Sequence, residues 1–312
     1  MTGARTATLG AFLVVIYTGL ISSADGITKL IAGGYAAPQL YSLSGLIVMA
    51  LCLAADRHRT QRRGLATTCP RAMAVRSGAT VLAAVSFFYA FRFLPFADVF
   101  LFIALMPILA AVLSGVILKE PASTGAWAAL GAGFIGVFCL FPAGLASMSA
   151  GHAFSLAAVF FGTLSMVMAR YIGQREDNAL AQVFYPNAAI FVAMALALPF
   201  VWQPMPLADL GWVAAYAGFL FAARWVVVVA LRLLAAYVVT PLMNLQFVWM
   251  VLIGAMFFGE LPGATTYLGA AIVIASGVFL VWDQFAPFPA RGGRLRGVWL
   301  ALFRPGRLRS DP

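Results

Sequence analysis

Apolar runs of 18–23 residues, parted by short polar breaks, recur along the whole chain. Each has the length a helix needs to cross hydrocarbon, about 20 residues at ~1.5 Å per residue. Ten spans are expected, at roughly 9–31, 38–55, 74–91, 96–118, 124–143, 150–170, 179–201, 209–231, 236–258 and 264–283. The breaks leave no room for a soluble domain of any size. The pattern predicts an all-α polytopic membrane protein.

The runs also repeat internally. Ala90-Phe91-Arg92-Phe93-Leu94 leads into one run that ends at Lys119-Glu120-Pro121. Ala230-Leu231-Arg232-Leu233-Leu234 leads into another that ends at Gly259-Glu260-Leu261-Pro262. Arg92 and Arg232 stand 140 positions apart, as do Glu120 and Glu260. One inserted residue later, Thr124/Thr265, Ala129/Ala270 and Gly136-Val137-Phe138/Gly277-Val278-Phe279 match. This predicts a duplication, which sets the fold before any other feature. The halves are expected at 8–143 and 150–283, with a basic tail at 284–312. Five spans per half is an odd number, so the halves insert in opposite senses and form two inverted five-helix repeats. Transporters use that design, rocking two halves about a site near the midplane.

Composition agrees. The 312 residues are 63% hydrophobic and 10% charged, against about 25% charged in soluble domains. The net charge of +10 is no nucleic-acid footprint, because its placement follows topology. With a cytoplasmic N-terminus, 17 of the 20 basic residues fall in cytoplasmic segments, among them Arg57, Arg59, Arg62, Arg63, Arg71, Arg76 and the tail from Arg291 to Arg309. Only Arg92 lies in an outer loop, while Lys29 and Arg224 lie inside spans. This positive-inside pattern puts both termini in the cytoplasm of a cell inner (plasma) membrane. Met1–Thr8 runs straight into the first span, so no cleavable signal is expected. Tail residues Leu295, Trp299 and Phe303 alternate with arginines, which reads as an interfacial helix or as a disordered basic tail. Cys52, Cys69 and Cys139 form no framework, and His58 and His152 sit in loops, so no metal site and no cofactor are expected.

Two repeats with Arg before and Glu-(x)-Pro after each fourth span, followed by a fifth span ending Gly-Val-Phe, resemble the EamA-type drug/metabolite transporter superfamily over residues 8–283. The resemblance implies a secondary transporter that uses alternating access. Asp25-Gly-Ile-Thr-Lys29, with Gln39 opening the second span, is also similar to the branch containing riboflavin and S-adenosylmethionine uptake carriers. Ser44 stands where that branch often has arginine. The resemblance implies a small polar or amphipathic metabolite, amino acid-, riboflavin- or S-adenosylmethionine-like; a multidrug or metabolite exporter of the same fold and a non-transporting accessory protein are the alternatives.

Polar groups inside spans mark the candidate site, since a charge at a helix centre costs about 2.5–3.5 kcal/mol on insertion scales. Arg224 lies deep in the eighth span, and its repeat counterpart is Ala84. It reads as a counter-ion for a carboxylate or phosphate, or as a brace paired with Asp25 or a helix carbonyl. Asp25 and Lys29 share one face of the first helix at i, i+4, as a gate and proton-responsive carboxylate or as a plain ion pair. Asn244 and Gln246 bring amides into the membrane beyond Pro241, and Tyr185 begins a Tyr-Pro-Asn kink. Tyr216, Trp225 and Tyr89 are candidate stacking surfaces for an aromatic cargo. Pro107 and Pro241 kink the fourth and ninth spans and free carbonyls to line a cavity. Glu120 and Glu260, at matching positions, read as helix-end caps. Small residues such as Gly131 and Gly269 read as packing, within a monomer or at a homodimer surface. An intramembrane enzyme would need paired carboxylates or a nucleophile with its base. Asp25 is the only acid well inside a span, so a small-molecule substrate, a lipid environment and a proton as coupling ion are the expected partners.

Overall fold

A computed structural model describes residues 2–58, 64–119, 127–128, 131–132, 135, 149–234, 239, 242–264, 267–268, 271–272 and 274–276. Glu120, Pro241, Cys139, the Gly-Val-Phe motifs, most of spans five and ten, and the tail from 284 lie outside them. Among the described residues the regular structure is entirely helical. The helices are α1 (Thr2–Ala32), α2 (Ala37–Arg57), α3 (Pro70–Phe93), α4 (Phe96–Ile103), α5 (Met106–Ile117), α6 (Ala150–Gly173), α7 (Ala179–Val201), α8 (Leu207–Leu233) and α9 (Gln246–Ile253). Six of them (α1 from Thr8, α2, α3, α6, α7 and α8) are long and apolar enough to cross a membrane. The protein is a polytopic membrane protein.

The fourth and ninth spans are broken. The fourth divides at Ala104–Leu105 into α4 and α5. Pro107 lies at the start of α5, where its missing N–H leaves no backbone partner unserved. The ninth begins with a tight 3-10 turn at Met243–Leu245, continues as α9 and ends in a π-helical turn at Gly254–Phe258. Gly259, at φ 65°, then stops it in the left-handed region that favours glycine. Lys119, at φ 57°, does the same after α5.

Packing follows a pattern. Helix α1 lies along α8, and α6 lies along α3. Helix α2 meets α7 and α8, while α7 meets α2 and α3. Helix α9 packs on α1 and on α4, and α5 packs on α6. Exchanging α1 with α6, α2 with α7, α3 with α8, and α4–α5 with the Met243–Ile253 segment maps this set of neighbours onto itself. Helices α2 and α7 approach closely, so that a Cβ on Gly45 would stand 3.2 Å from the Asn187 carbonyl oxygen and 3.2 Å from the Phe191 Cβ. Apolar side chains such as Phe12, Leu196 and Phe200 face outward, as expected where lipid is the solvent.

Polar staples fasten the helix ends. Gln39 Nε2 donates to the Gln203 carbonyl at 2.8 Å, and the Gln203 N–H returns a bond to Gln39 Oε1 at 3.3 Å. Tyr35 donates to Asp209 at 2.5 Å, a bond that raises its phenol above the ordinary range. At the opposite end, the Glu176 carboxylate accepts from Thr67 and from the Thr68 backbone, and Asn178 holds the Gly64 and Ala66 carbonyls. His152, expected in a loop, lies in the first turn of α6, where its Nδ1 accepts the Ser149 N–H at 2.9 Å.

Candidate functional site

Helices α1, α2 and α8 build the site. Arg224 of α8 acts electrostatically on Tyr216 of its own helix, on Tyr17 of α1, and on Tyr41 and Cys52 of α2. Asp25 of α1 acts on the same three tyrosines. The Tyr41 and Tyr216 rings stand 6.2 Å apart, tilted to one another. Tyr41 is anchored by donating to the Ala84 carbonyl at 2.9 Å. All three tyrosines are buried. The two charged groups are only half-buried, although both lie deep along helices that pack against one another.

The sequence left Arg224 between a counter-ion and a brace. Among the described residues it makes no hydrogen bond or ion pair, and neither does Asp25. Two unlike charges without a partner among the described residues, each near the same three tyrosines, can bind a polar solute. A charge buried against protein alone needs a partner. Arg224 and Asp25 therefore keep hydrogen-bonding capacity that no described residue uses. Chemically, the guanidinium fork suits a planar oxyanion, and the phenol faces suit an aromatic ring.

Lys29 is not the partner of Asp25. Its Nζ pairs with Glu260 Oε1 at 2.8 Å, donates to the Leu94 carbonyl at 3.3 Å, and lies 5.4 Å from the Phe258 ring centre and 6.0 Å from that of Phe96. Glu260 Oε2 also accepts the Phe96 N–H at 2.9 Å, at the start of α4. The i, i+4 spacing gave a partner within reach, but the Lys29 side chain extends beyond the helix end, where the broken ninth span delivers Glu260.

The other candidates are scattered. Trp225, next to Arg224, is 45% exposed and lies beside Phe221. Tyr89 stacks with Phe93 and Phe154 between α3 and α6. Tyr185 packs with the cluster of Met73, Ile172 and Ala181, away from the tyrosine ring. Asn244 and Gln246 are buried, and the Asn244 side-chain oxygen has no partner. Sequence reasoning missed Tyr17 and Tyr41, which look like interface tyrosines in their apolar runs. It also assigned Arg76 to topology alone. Arg76 is 6% exposed and ties α3 to the Ser165 and Gln182 carbonyls at 3.3 and 3.1 Å. Among the described residues no group of three or more His, Cys, Asp or Glu stands where it would hold a metal, and Cys52 and Cys69 are free.

Residues 9–141 match the family model described as "EamA-like transporter family". That stretch of the chain is similar to the EamA-like transporter family, the resemblance that the repeated motifs imply. A riboflavin transporter of Vibrio cholerae serotype O1 (strain ATCC 39315 / El Tor Inaba N16961) is 27% identical over 180 residues, 57% of this chain. The match spans 60% of that relative's length. A solved crystal structure, described only as that of a protein, superposes on 91% of this chain and 99% of its own, with a TM-score of 0.69 and 15% identity. That likeness is one of fold.

Proposed function

We propose that this protein is a secondary transporter that moves a small polar or amphipathic organic solute across the cell inner membrane by alternating access. The observation that carries the reading is the unpaired Arg224, half-buried beside Tyr17, Tyr41 and Tyr216. On this reading Arg224 holds a carboxylate, phosphate or ring-carbonyl edge of the cargo, and the tyrosines hold its apolar or aromatic part. Asp25 faces the same space, either as the proton-carrying group or as the acceptor for a cargo amine. The chain divides into repeats at 8–143 and 150–283. The self-mapping of helix neighbours supports that division, because two like halves related by a two-fold axis give every contact a counterpart. Both termini are cytoplasmic, and the Lys29 end of the bundle is the outer one.

The test is uptake and counterflow in proteoliposomes. Riboflavin comes first because the Vibrio cholerae relative is a riboflavin transporter; labelled amino acids, S-adenosylmethionine and nucleosides complete the panel. Each is measured with and without an inward proton gradient. Saturable, counterflow-competent movement of one cargo is the expected result. Folded protein that moves none of them in either direction would overturn the cargo assignment.

A further inference from the structure

The fourth span of each half breaks at the same place in its repeat. Ala104 and Leu105 interrupt the first, and the 3-10 turn Met243–Leu245 interrupts the second. Ala104 and Asn244 stand 140 positions apart, the offset that also separates Arg92 from Arg232. Both breaks tighten the helix to i, i+3 bonding, as in the 2.9 Å bond from the Leu105 N–H to the Phe102 carbonyl. The break therefore belongs to the repeat, and an apolar residue suffices to make it. The second half alone places an amide there, and it puts Gln246 where the first half has Met106. Asn244 is 2% exposed, and its Oδ1 accepts no hydrogen bond. An asparagine at the start of a helix ordinarily caps it by accepting an N–H of the first turn. Asn244, two residues ahead of α9, accepts none. A buried polar atom without a partner costs about 1–3 kcal/mol. Neither the break nor the helix end explains why Asn244 is kept at that cost.

Asn244 lies at the level of the Arg224 site. Its neighbour Met243 packs in one apolar cluster with Tyr17 of α1 and with Ala223 and Val227 of α8, which stand one and three residues from Arg224. We propose that Asn244 is a specificity-determining residue that accepts a hydrogen bond from a ring N–H of the cargo, and that the cargo is a heterocycle with a lactam or imide edge. The inference rests on the transporter reading and names the class of its solute. The two polar groups require opposite partners. Arg224 can only donate, so it takes a carbonyl or an oxyanion; the Asn244 Oδ1 can only accept, so it takes a donor. A carboxylate or phosphate alone would satisfy the first and leave the second bare. A ring –NH–C(=O)– edge supplies both kinds of group. A side-chain amide meets that edge with two parallel bonds, its NH2 to the ring carbonyl and its oxygen to the ring N–H. The faces of such a ring suit the phenols of Tyr17, Tyr41 and Tyr216. An interrupted helix near the midplane is also where transporters built from inverted repeats hold their solutes.

The test is equilibrium binding to the purified full chain in detergent, with no transport step. Two matched pairs serve as probes: riboflavin with 3-methylriboflavin, and uridine with 3-methyluridine. In each pair the second member carries a methyl group in place of the imide proton. The wild-type protein is expected to bind the N–H member of at least one pair about tenfold more tightly, because the methyl removes the donor and leaves Oδ1 facing carbon. Asn244→Ala restores the residue type that the first half has at this point, so the variant is expected to stay monodisperse. It should bind the N–H member more weakly and bring the two affinities of the pair together. Asn244→Ser carries the same readout if the alanine variant aggregates. A residue that only packs would weaken both members alike and leave their ratio unchanged. That unchanged ratio, equal wild-type affinities within each pair, or binding of none of the probes would sink the proposal. Selective binding of the N–H form with no movement in proteoliposomes would uphold the imide assignment and remove the transport reading instead.

Discussion

At the level of single residues, the decisive feature is a cation without a counter-ion. Arg224 sits in the middle of an apolar helix, and no hydrogen bond or ion pair to it exists among the described residues. A structural arginine would be expected to resemble Arg76, buried and bonded to two carbonyls. Arg224→Ala is therefore expected to abolish saturable cargo recognition while leaving expression and monodispersity intact. Arg224→Lys keeps the charge but loses the planar fork, and should weaken apparent affinity about tenfold, equivalent to ~1.4 kcal/mol. Counterflow across a cargo concentration series checks both, and wild-type kinetics in the alanine variant would dismiss the assignment. Arg76→Ala, in contrast, should lower thermal stability before it alters affinity.

Among the helices, what matters is how closely α2 and α7 approach. Gly45 has no Cβ because one would press on the Asn187 carbonyl oxygen and the Phe191 Cβ, each at 3.2 Å. Backbone on the far side leaves little to give way. Gly45→Val is expected to destabilise by about 1–3 kcal/mol through overpacking, read as a lower midpoint of thermal unfolding in detergent. Gly78 offers the control, since nothing lies within 4 Å of a Cβ there. Gly78→Ala, inside α3, should be neutral or slightly stabilising because alanine is the better helix former. Equal losses at both positions would show that the α2–α7 contact is not close in the membrane. The broken spans carry a second consequence at this scale. A continuous ninth helix has no turn at Gly259, and without that turn Glu260 does not reach both Lys29 and Phe96.

The whole molecule is defined by its two-fold set of helix neighbours and by its charge asymmetry. The positive-inside rule predicts that the 59–63 arginines and the tail share one side. Reporter fusions after residues 64 and 312 should both read cytoplasm, and a fusion after residue 34 should read the far side. A far-side signal after 64 or 312 would break the ten-span topology, and with it the opposite insertion of the two halves.

Several levels of this protein were legible in the sequence. Length and apolarity of the runs required lipid as solvent, because no single core hides so much hydrophobic surface. The spacing of Arg92, Glu120, Arg232 and Glu260 predicted a duplication and a resemblance to the family whose model matches residues 9–141, since a repeat is a statement about order along the chain. Arg224 stood out because a charge in a span demands a reason. Partners distant in sequence were not legible. Asp25 and Lys29 look paired at i, i+4, yet Lys29 bonds Glu260, 231 positions away. Tyr17 and Tyr41 carry no mark that separates them from tyrosines facing lipid, and Trp225 carries none that predicts its exposure. Periodicity tells which residues share a helix face, but not what that face meets. The local sequence determined that the chain is helical and long enough in its apolar runs to cross a membrane. Only the packing of α1, α2 and α8 decided which polar groups share a space, because that depends on how helices from both ends of the chain come together.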